Sequence, residues 1–247
     1  MATLRAYLRL SLFVLATVGL YAIWWITHFF VPNKIYWRQL FFGAWTGSFV
    51  RISGMRINVI GTPPKPPFFL VSNHLSYTDI AVLREVVTGI FVAKAEVASW
   101  FLAGRICRDY GTIFIDRGNR RDIPRAGEKV MERLADGEGV IVFPEGTSGR
   151  GDHVMPFNSS FLEFAARASV PVSYAAISYR TAGDLPASTA VCWWDDVSFF
   201  DHMLRLLSLP HYDATVIFGE EPLVATDRKQ LARDLHRHIA DRFIPVL

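Results

Sequence analysis

The sequence predicts an α/β fold with a mostly parallel central sheet flanked by helices, preceded by an N-terminal membrane-anchoring helical segment. Three observations predict it. From residue 68 onward, short continuous apolar runs alternate with longer amphipathic ones, the pattern of strands covered by helices on both faces. Apolar residues make up 51% of the 247 positions, a high share for a soluble domain. The excess is concentrated at the start, where Leu10 to Val31 contains no Asp, Glu, Lys or Arg.

That first run is roughly 22 residues, or about 33 Å as a helix, enough to cross a bilayer core. Trp24, Trp25, Phe29 and Phe30 gather near one end, where aromatic rings favour the lipid–water boundary. A cleaved signal peptide needs a shorter apolar core and small residues at the cut, and "THFFVPN" offers none. Arg5 and Arg9 precede the run while Lys34, Arg38, Arg51 and Arg56 follow it, so charge counting sets no orientation. The next stretch, "YWRQLFFGAWTGSFVRI" (36–52), reads as an aromatic helix lying at the interface in a hairpin with the first. An ordinary core helix of the following domain is the alternative. "TPPKPP" (62–67) is a rigid, helix-free connector between the anchor and the α/β domain. The expected division is an anchor over 1–55 and an α/β domain over 56–247.

Beyond the connector the elements follow in order. "FFLVSN" reads as a strand, "YTDIAVLREVV" as a helix, "GIFVAK" as a strand, "VASWFLAGRI" as a helix and "GTIFID" as a strand. "DIPRAGEKVMERLADG" is a helix, "GVIVFPEG" a strand, "SSFLEFAARAS" a helix and "PVSYAAIS" a strand. "TAVCWW" (189–194) and "ATVIFG" add further expected strands, and "DRKQLARDLHRHIADRF" a closing helix.

Sites of open α/β sheets form at the C-terminal ends of strands. Three polar clusters fall there. In "VSNHLSYTDI", His74 and Asp79 straddle a strand–turn–helix junction. Ser76 as N-cap with Asp79 three positions on makes a capping box, which accounts for Asp79 and not for His74. A carboxylate in that first turn also serves to orient an imidazole whose other nitrogen acts as base near neutral pH. A second His-x-x-x-x-Asp, His236 to Asp241, lies inside the closing helix, where five residues place the side chains about 140° apart. It is set aside. Arg117, just past "GTIFID", is a candidate anion ligand, since a guanidinium grips phosphate in bidentate fashion. Arg120 and Arg121 read as a solvated loop. "VFPEGTSGRG" brings Glu145, Gly146 and Thr147 to a strand end, in a loop whose backbone N–H groups suit an anion or a developing oxyanion.

Composition narrows the partners. A formal charge of +3 is too small for nucleic acid as the main partner. Cys107 and Cys192 have no metal-like spacing and fit a reducing compartment. No second histidine or carboxylate cluster completes a metal shell around His74 and Asp79.

"NHLSYTD", "GTIFIDR", "FPEGTS" and "VPV" (170–172), in this order and spacing, resemble the four motifs of the glycerolipid acyltransferase family, typified by the 1-acylglycerol-3-phosphate O-acyltransferases. "VAKAEV" (92–97) and "VIFGEEP" (216–222) are similar to its usual intervals. The resemblance implies transfer of a fatty acyl group from acyl-CoA or acyl carrier protein to the free hydroxyl of a lysolipid at the membrane, with no bound cofactor. It implies His74 as base, Asp79 as its orienting group and Arg117 on the acceptor phosphate. It assigns Glu145, Gly146 and Thr147 to the acceptor site and Lys94 to anion or oxyanion binding. The acceptor it implies is 1-acylglycerol-3-phosphate, giving phosphatidic acid. Where the family often has arginine after Glu-Gly-Thr this chain has Ser148, and Ser160 stands where a glycine is frequent. These departures leave open another lysophospholipid or a lyso-aminolipid such as lyso-ornithine lipid. A thioester or lysolipid hydrolase and a non-catalytic membrane lipid-binding protein are the rival readings. The expected location is the membrane, with the active site at the cytoplasmic face.

Overall fold

The computed structural model describes residues 2–116, 118–119, 122–183 and 185–246. Two helices open the chain, α1 (Ala2–Thr27) and α2 (Lys34–Ser53). Strand β1 (Met55–Ile60) follows, then β2 (Phe68–Ser72), α3 (Thr78–Val86) and β3 (Gly89–Lys94). Next come α4 (Ala103–Asp109), β4 (Ile113–Ile115), α5 (Asp122–Ala135) and β5 (Gly139–Val142). The last third holds α6 (Glu163–Arg167), β6 (Val172–Thr181), α7 (Ala187–Ala190), α8 (Phe199–Ser208), β7 (Tyr212–Phe218) and α9 (Arg228–Ala240).

Among the described residues the strands form one seven-stranded sheet in the order β1-β7-β6-β2-β5-β3-β4. Every neighbouring pair is parallel except β6 with β7. Successive side chains of a strand point to opposite faces, and here both faces are covered. Phe68 and Leu70 of β2 pack in one core with Phe42 of α2, Leu83 of α3 and Leu206 of α8. Phe69 and Val71 enter the other core with Val130 of α5, Ala166 of α6 and Leu235 of α9. Two-sided burial is why the strands read as continuous apolar runs.

The order of the sheet places the site. Strands β2 and β5 are parallel neighbours, with Val71 opposite Val142. The loops leaving their C-terminal ends therefore emerge side by side, one carrying His74 and the other Glu145.

Some elements differ from the expectation. Segment 189–194 is not a strand: α7 ends at Ala190 and the backbone leaves the sheet. The Cys192 N–H donates to Ala187 O, and the Trp193 N–H to Leu75 O at 2.8 Å. The expected helix over 97–106 is split into a 3₁₀ turn (Ala95–Ser99) and α4, with Leu102 at φ 42° between them. β1 escapes the apolar-run criterion because it is an edge strand with Val59 and Ile60 exposed; it pairs with β7 on one side. The proline-rich segment 62–67 accordingly joins two strands of one sheet.

Of the two readings offered for residues 36–52, the structure takes the core helix in a hairpin with α1. Phe41, Phe42 and Phe49 of α2 are buried, and the Arg84 guanidinium lies 5.3 Å from the centre of the Phe42 ring while donating to Gln39 O. α1 is long and apolar enough to cross a membrane, and its outer face exposes Leu4, Leu8, Leu12 and Leu15. It is also tied to the rest of the chain near both ends. Arg9 donates to the carbonyls of Ser53 (3.0 Å), Leu209 (2.6 Å) and Pro210 (3.0 Å), at the C-terminal ends of α2 and α8. Tyr21 donates to the Asp109 carboxylate at the end of α4.

Arg9→Ala strips these carbonyls of a charged donor, a loss of about 1–3 kcal/mol in local stability. Faster hydrogen exchange across the first turns of α1 in detergent, with the sheet unchanged, is the expected result.

Candidate active site

Strand β2 ends at Ser72, and the next residue locks the turn in place. The buried Asn73 side chain donates to Ile177 O (2.9 Å) and accepts from Ile177 N (2.7 Å), extending the β2–β6 ladder by one more rung. His74 follows. Its Nδ1 lies 2.7 Å from Asp79 Oδ2, and the same oxygen accepts the N–H groups of Leu75 (2.7 Å) and Ser76 (3.0 Å). The other oxygen, Oδ1, accepts the Tyr179 hydroxyl at 2.6 Å. A carboxylate only accepts, so Nδ1 carries a proton, and in the neutral imidazole the lone pair is left on Nε2.

The local geometry answers both readings of Asp79. Tyr77 rather than Ser76 is the N-cap of α3, and it provides no side-chain cap. Asp79 still accepts the Ser76 N–H, the acidic half of a capping box, and holds the imidazole with the same oxygen. One carboxylate does both jobs because the turn curls around it.

The β5 loop closes over this turn. The His74 ring stacks on Phe143, with centroids 4.2 Å apart and planes 12° off parallel. The His74 N–H donates to Glu145 Oε1 at 3.0 Å, and Gly149 N–H donates to His74 O at 2.9 Å. Gly146 takes φ 79°, a left-handed turn that favours glycine. The Glu145 carboxyl is pushed up to about 8, chiefly by burial; the N–H groups of His74 and Met155 oppose the rise and the charge of Asp79 adds to it. The two carboxyls thus sit in contrasting settings: Asp79 is met by donors on both oxygens, while Glu145 favours its proton through neutrality.

The remaining predicted residues are more scattered. Thr147 is exposed on the same loop, beside Gly146. Lys94 ends β3, two strands from β2, exposed and outside hydrogen-bond reach of His74, Asp79 and Glu145. Arg117, with Arg120 and Arg121, lies outside the described residues. His236 is half-buried, its Nε2 3.0 Å from Val154 O. No group of three metal-ligating side chains gathers among the described residues.

Three participants were not visible in the sequence. Tyr179 stands 100 positions from Asp79, on another strand. Asn73 lay inside the polar turn without an assigned partner, and its partner is 104 positions away. Segment 192–194 crosses the turn as a strap: Trp193 N–H donates to Leu75 O, Ser148 Oγ donates to Trp193 O, and Arg150 stacks over Trp194 at 5.1 Å. Ser148, noted for lacking a charge, thus holds this strap.

Asn73→Ala leaves the Ile177 N–H and C=O buried without their partners and lowers stability by about 2–3 kcal/mol, read by denaturant unfolding in detergent. Glu145 gives a pH signature. Its carboxyl binds a proton more tightly folded than unfolded, so its contribution is full below the ordinary value of 4.5 and is lost as pH rises through about 8. The unfolding midpoint falls across that window, and Glu145→Gln flattens the fall.

Comparison with known proteins agrees with this geometry. The sequence pattern of the Acyltransferase family matches residues 56–178. A lyso-ornithine lipid O-acyltransferase of Pseudomonas aeruginosa is 32% identical over 203 residues, covering 82% of this chain and 78% of that protein. A 1-acyl-sn-glycerol-3-phosphate acyltransferase of Neisseria meningitidis is 33% identical over 60% of this chain and 62% of its own length. The crystal structure of the 1-acyl-sn-glycerophosphate acyltransferase of Thermotoga maritima shares the fold, with a TM-score of 0.72 at 20% identity over 98% of this chain and 93% of the other. A histidine held by a buried carboxylate at the C-terminal edge of a mostly parallel sheet, together with these similarities, shows that the chain belongs to the acyltransferase family.

Proposed function

We propose that this protein transfers a fatty acyl group from a thioester, acyl-CoA or acyl carrier protein, to the free hydroxyl of a lysolipid. The observation that carries the reading is the His74–Asp79 pair. Asp79 fixes the proton on Nδ1, and Nε2 has no hydrogen-bond partner among the described residues. An acceptor hydroxyl placed against Nε2 gives up its proton as its oxygen attacks the thioester carbonyl. The tetrahedral intermediate then expels the thiolate, which takes the proton back from the imidazolium, and no acyl group is ever bound to the enzyme. Glu145, Gly146 and Thr147 shape the acceptor side, Arg117 grips an acceptor phosphate, and Lys94 steadies negative charge. Within residues 1–55, α1 is the anchor and α2 packs onto the catalytic domain of residues 56–247. The ties of Arg9 and Tyr21 favour an α1 that lies along the domain with its outer face in lipid. The donor reaches the site from the cytoplasmic face.

The four motifs support 1-acylglycerol-3-phosphate as acceptor. A specific observation favours a second, lyso-ornithine lipid: the relative bearing that name matches over 82% of the chain, against 60% for the glycerophosphate relative.

Purified protein given palmitoyl-CoA or palmitoyl carrier protein and each lysolipid in turn is expected to yield diacyl product. His74→Ala should lower the rate at least about 1000-fold and Asp79→Asn nearly as much, with unchanged circular dichroism. Near-normal activity in folded His74→Ala overturns the mechanism. Free fatty acid without diacyl lipid makes the protein a hydrolase.

A further inference from the structure

We propose that Tyr179, on β6, is a positioning residue of the catalytic pair, holding the outer oxygen of Asp79 so that the carboxylate keeps one orientation toward His74. The inference rests on His74 acting as the base. Tyr179 lies one position beyond the span matched to the family.

The geometry is closed on every side. The hydroxyl donates to Asp79 Oδ1 at 2.6 Å and accepts from Thr78 Oγ1 at 2.9 Å, so its proton has a single direction. Among the described residues no other donor reaches Oδ1. Asp79, Thr78 and Tyr179 are all buried, so no bulk water substitutes. Asn73 sets the register that brings β6 to this point, by clamping Ile177 two residues earlier. Burial first, then the charge of Asp79, raises the Tyr179 phenol well above its ordinary value and keeps it a donor.

Removing the hydroxyl leaves Oδ1 as a buried, unmet anionic oxygen. The carboxylate then tilts or places more charge on the side facing His74, which favours the imidazolium and removes the free base. Asp79 is faced by His74 and the N–H groups of its own turn, Tyr179 from β6, Tyr212 from β7, Glu145 from the β5 loop and Cys192 from the strap. Burial raises the Tyr212 phenol and the Cys192 thiol, so both stay uncharged through neutrality.

The test is Tyr179→Phe in the full chain, assayed with palmitoyl-CoA and either 1-acylglycerol-3-phosphate or lyso-ornithine lipid across pH 5–9. Expected are a kcat reduced roughly tenfold, KM within about twofold, and an acidic limb of kcat/KM displaced upward by about half to one pH unit. The same displacement is expected in a Glu145→Gln background, which removes that carboxyl from the titration. Histidine ¹³C NMR, with the His74 signal assigned by its loss in His74→Ala, reads the displacement without turnover. A folded Tyr179→Phe protein with wild-type kcat and pH profile overturns the proposal. Should Phe prevent folding, 3-fluorotyrosine at 179 strengthens the donor and moves the limb to lower pH, and an unmoved limb is equally fatal. Full activity in His74→Ala refutes the base itself, a failure separate from that of Tyr179.

Discussion

The C-terminal end of the parallel strands depends on one desolvated carboxylate. Asp79 has a side-chain exposure of 0% and takes hydrogen bonds from His74, Leu75, Ser76 and Tyr179. A buried carboxylate is tolerable only when its lone pairs are met. Here the donors come from the turn after β2 and from β6, so moving either segment exposes an unmet charge. That constraint makes the turn rigid, and a rigid turn fixes the tautomer and direction of the imidazole.

Neighbouring contacts transmit the same order outward. The β5 loop bonds to both the N–H and the C=O of His74, so the Glu145 loop cannot drift from the imidazole. Trp193 bonds to Leu75 and is held in turn by Ser148, which joins a third segment to the turn. The mouth of the site is therefore assembled from three loops that share hydrogen bonds. The Glu145 carboxyl keeps its proton through neutrality because burial outweighs the two backbone N–H groups that meet it, whereas Asp79 gathers a histidine, two backbone N–H groups and a tyrosine hydroxyl.

Coupling extends to the N-terminal helices. Phe42 of α2 stacks near Tyr110 and meets Phe91 of β3, while the buried Arg84 of α3 rests over the Phe42 ring. Burial lowers Arg84 to about 10, with nearby Glu85 opposing the fall, so it remains a cation at neutral pH. α2 thereby packs directly on the helix that begins with the Asp79 turn. The long apolar α1 is joined to that helix through its hairpin with α2.

Much of this was legible in the residues themselves. Continuous apolar runs marked β2, β3, β5 and β6 because two-sided burial excludes polar side chains from both faces. Polar clusters at strand ends marked His74, Asp79 and Glu145, since such ends are where an α/β sheet leaves room for chemistry. Local pattern records how a segment divides itself between core and water; it carries no record of which distant segment lies beside it. For that reason edge strand β1 went unassigned and segment 189–194 was expected as a strand, while their hydrogen bonds go to β7 and, through Trp193, to Leu75. Sheet order alone brought Ile177 to Asn73 and Tyr179 to Asp79 across about a hundred residues. The sequence by itself determined that His74, Asp79 and Glu145 stand at strand ends. The tertiary structure decided which oxygen holds the imidazole and what holds that oxygen, because a buried charge is settled by its full set of donors and those come from parts of the chain far apart.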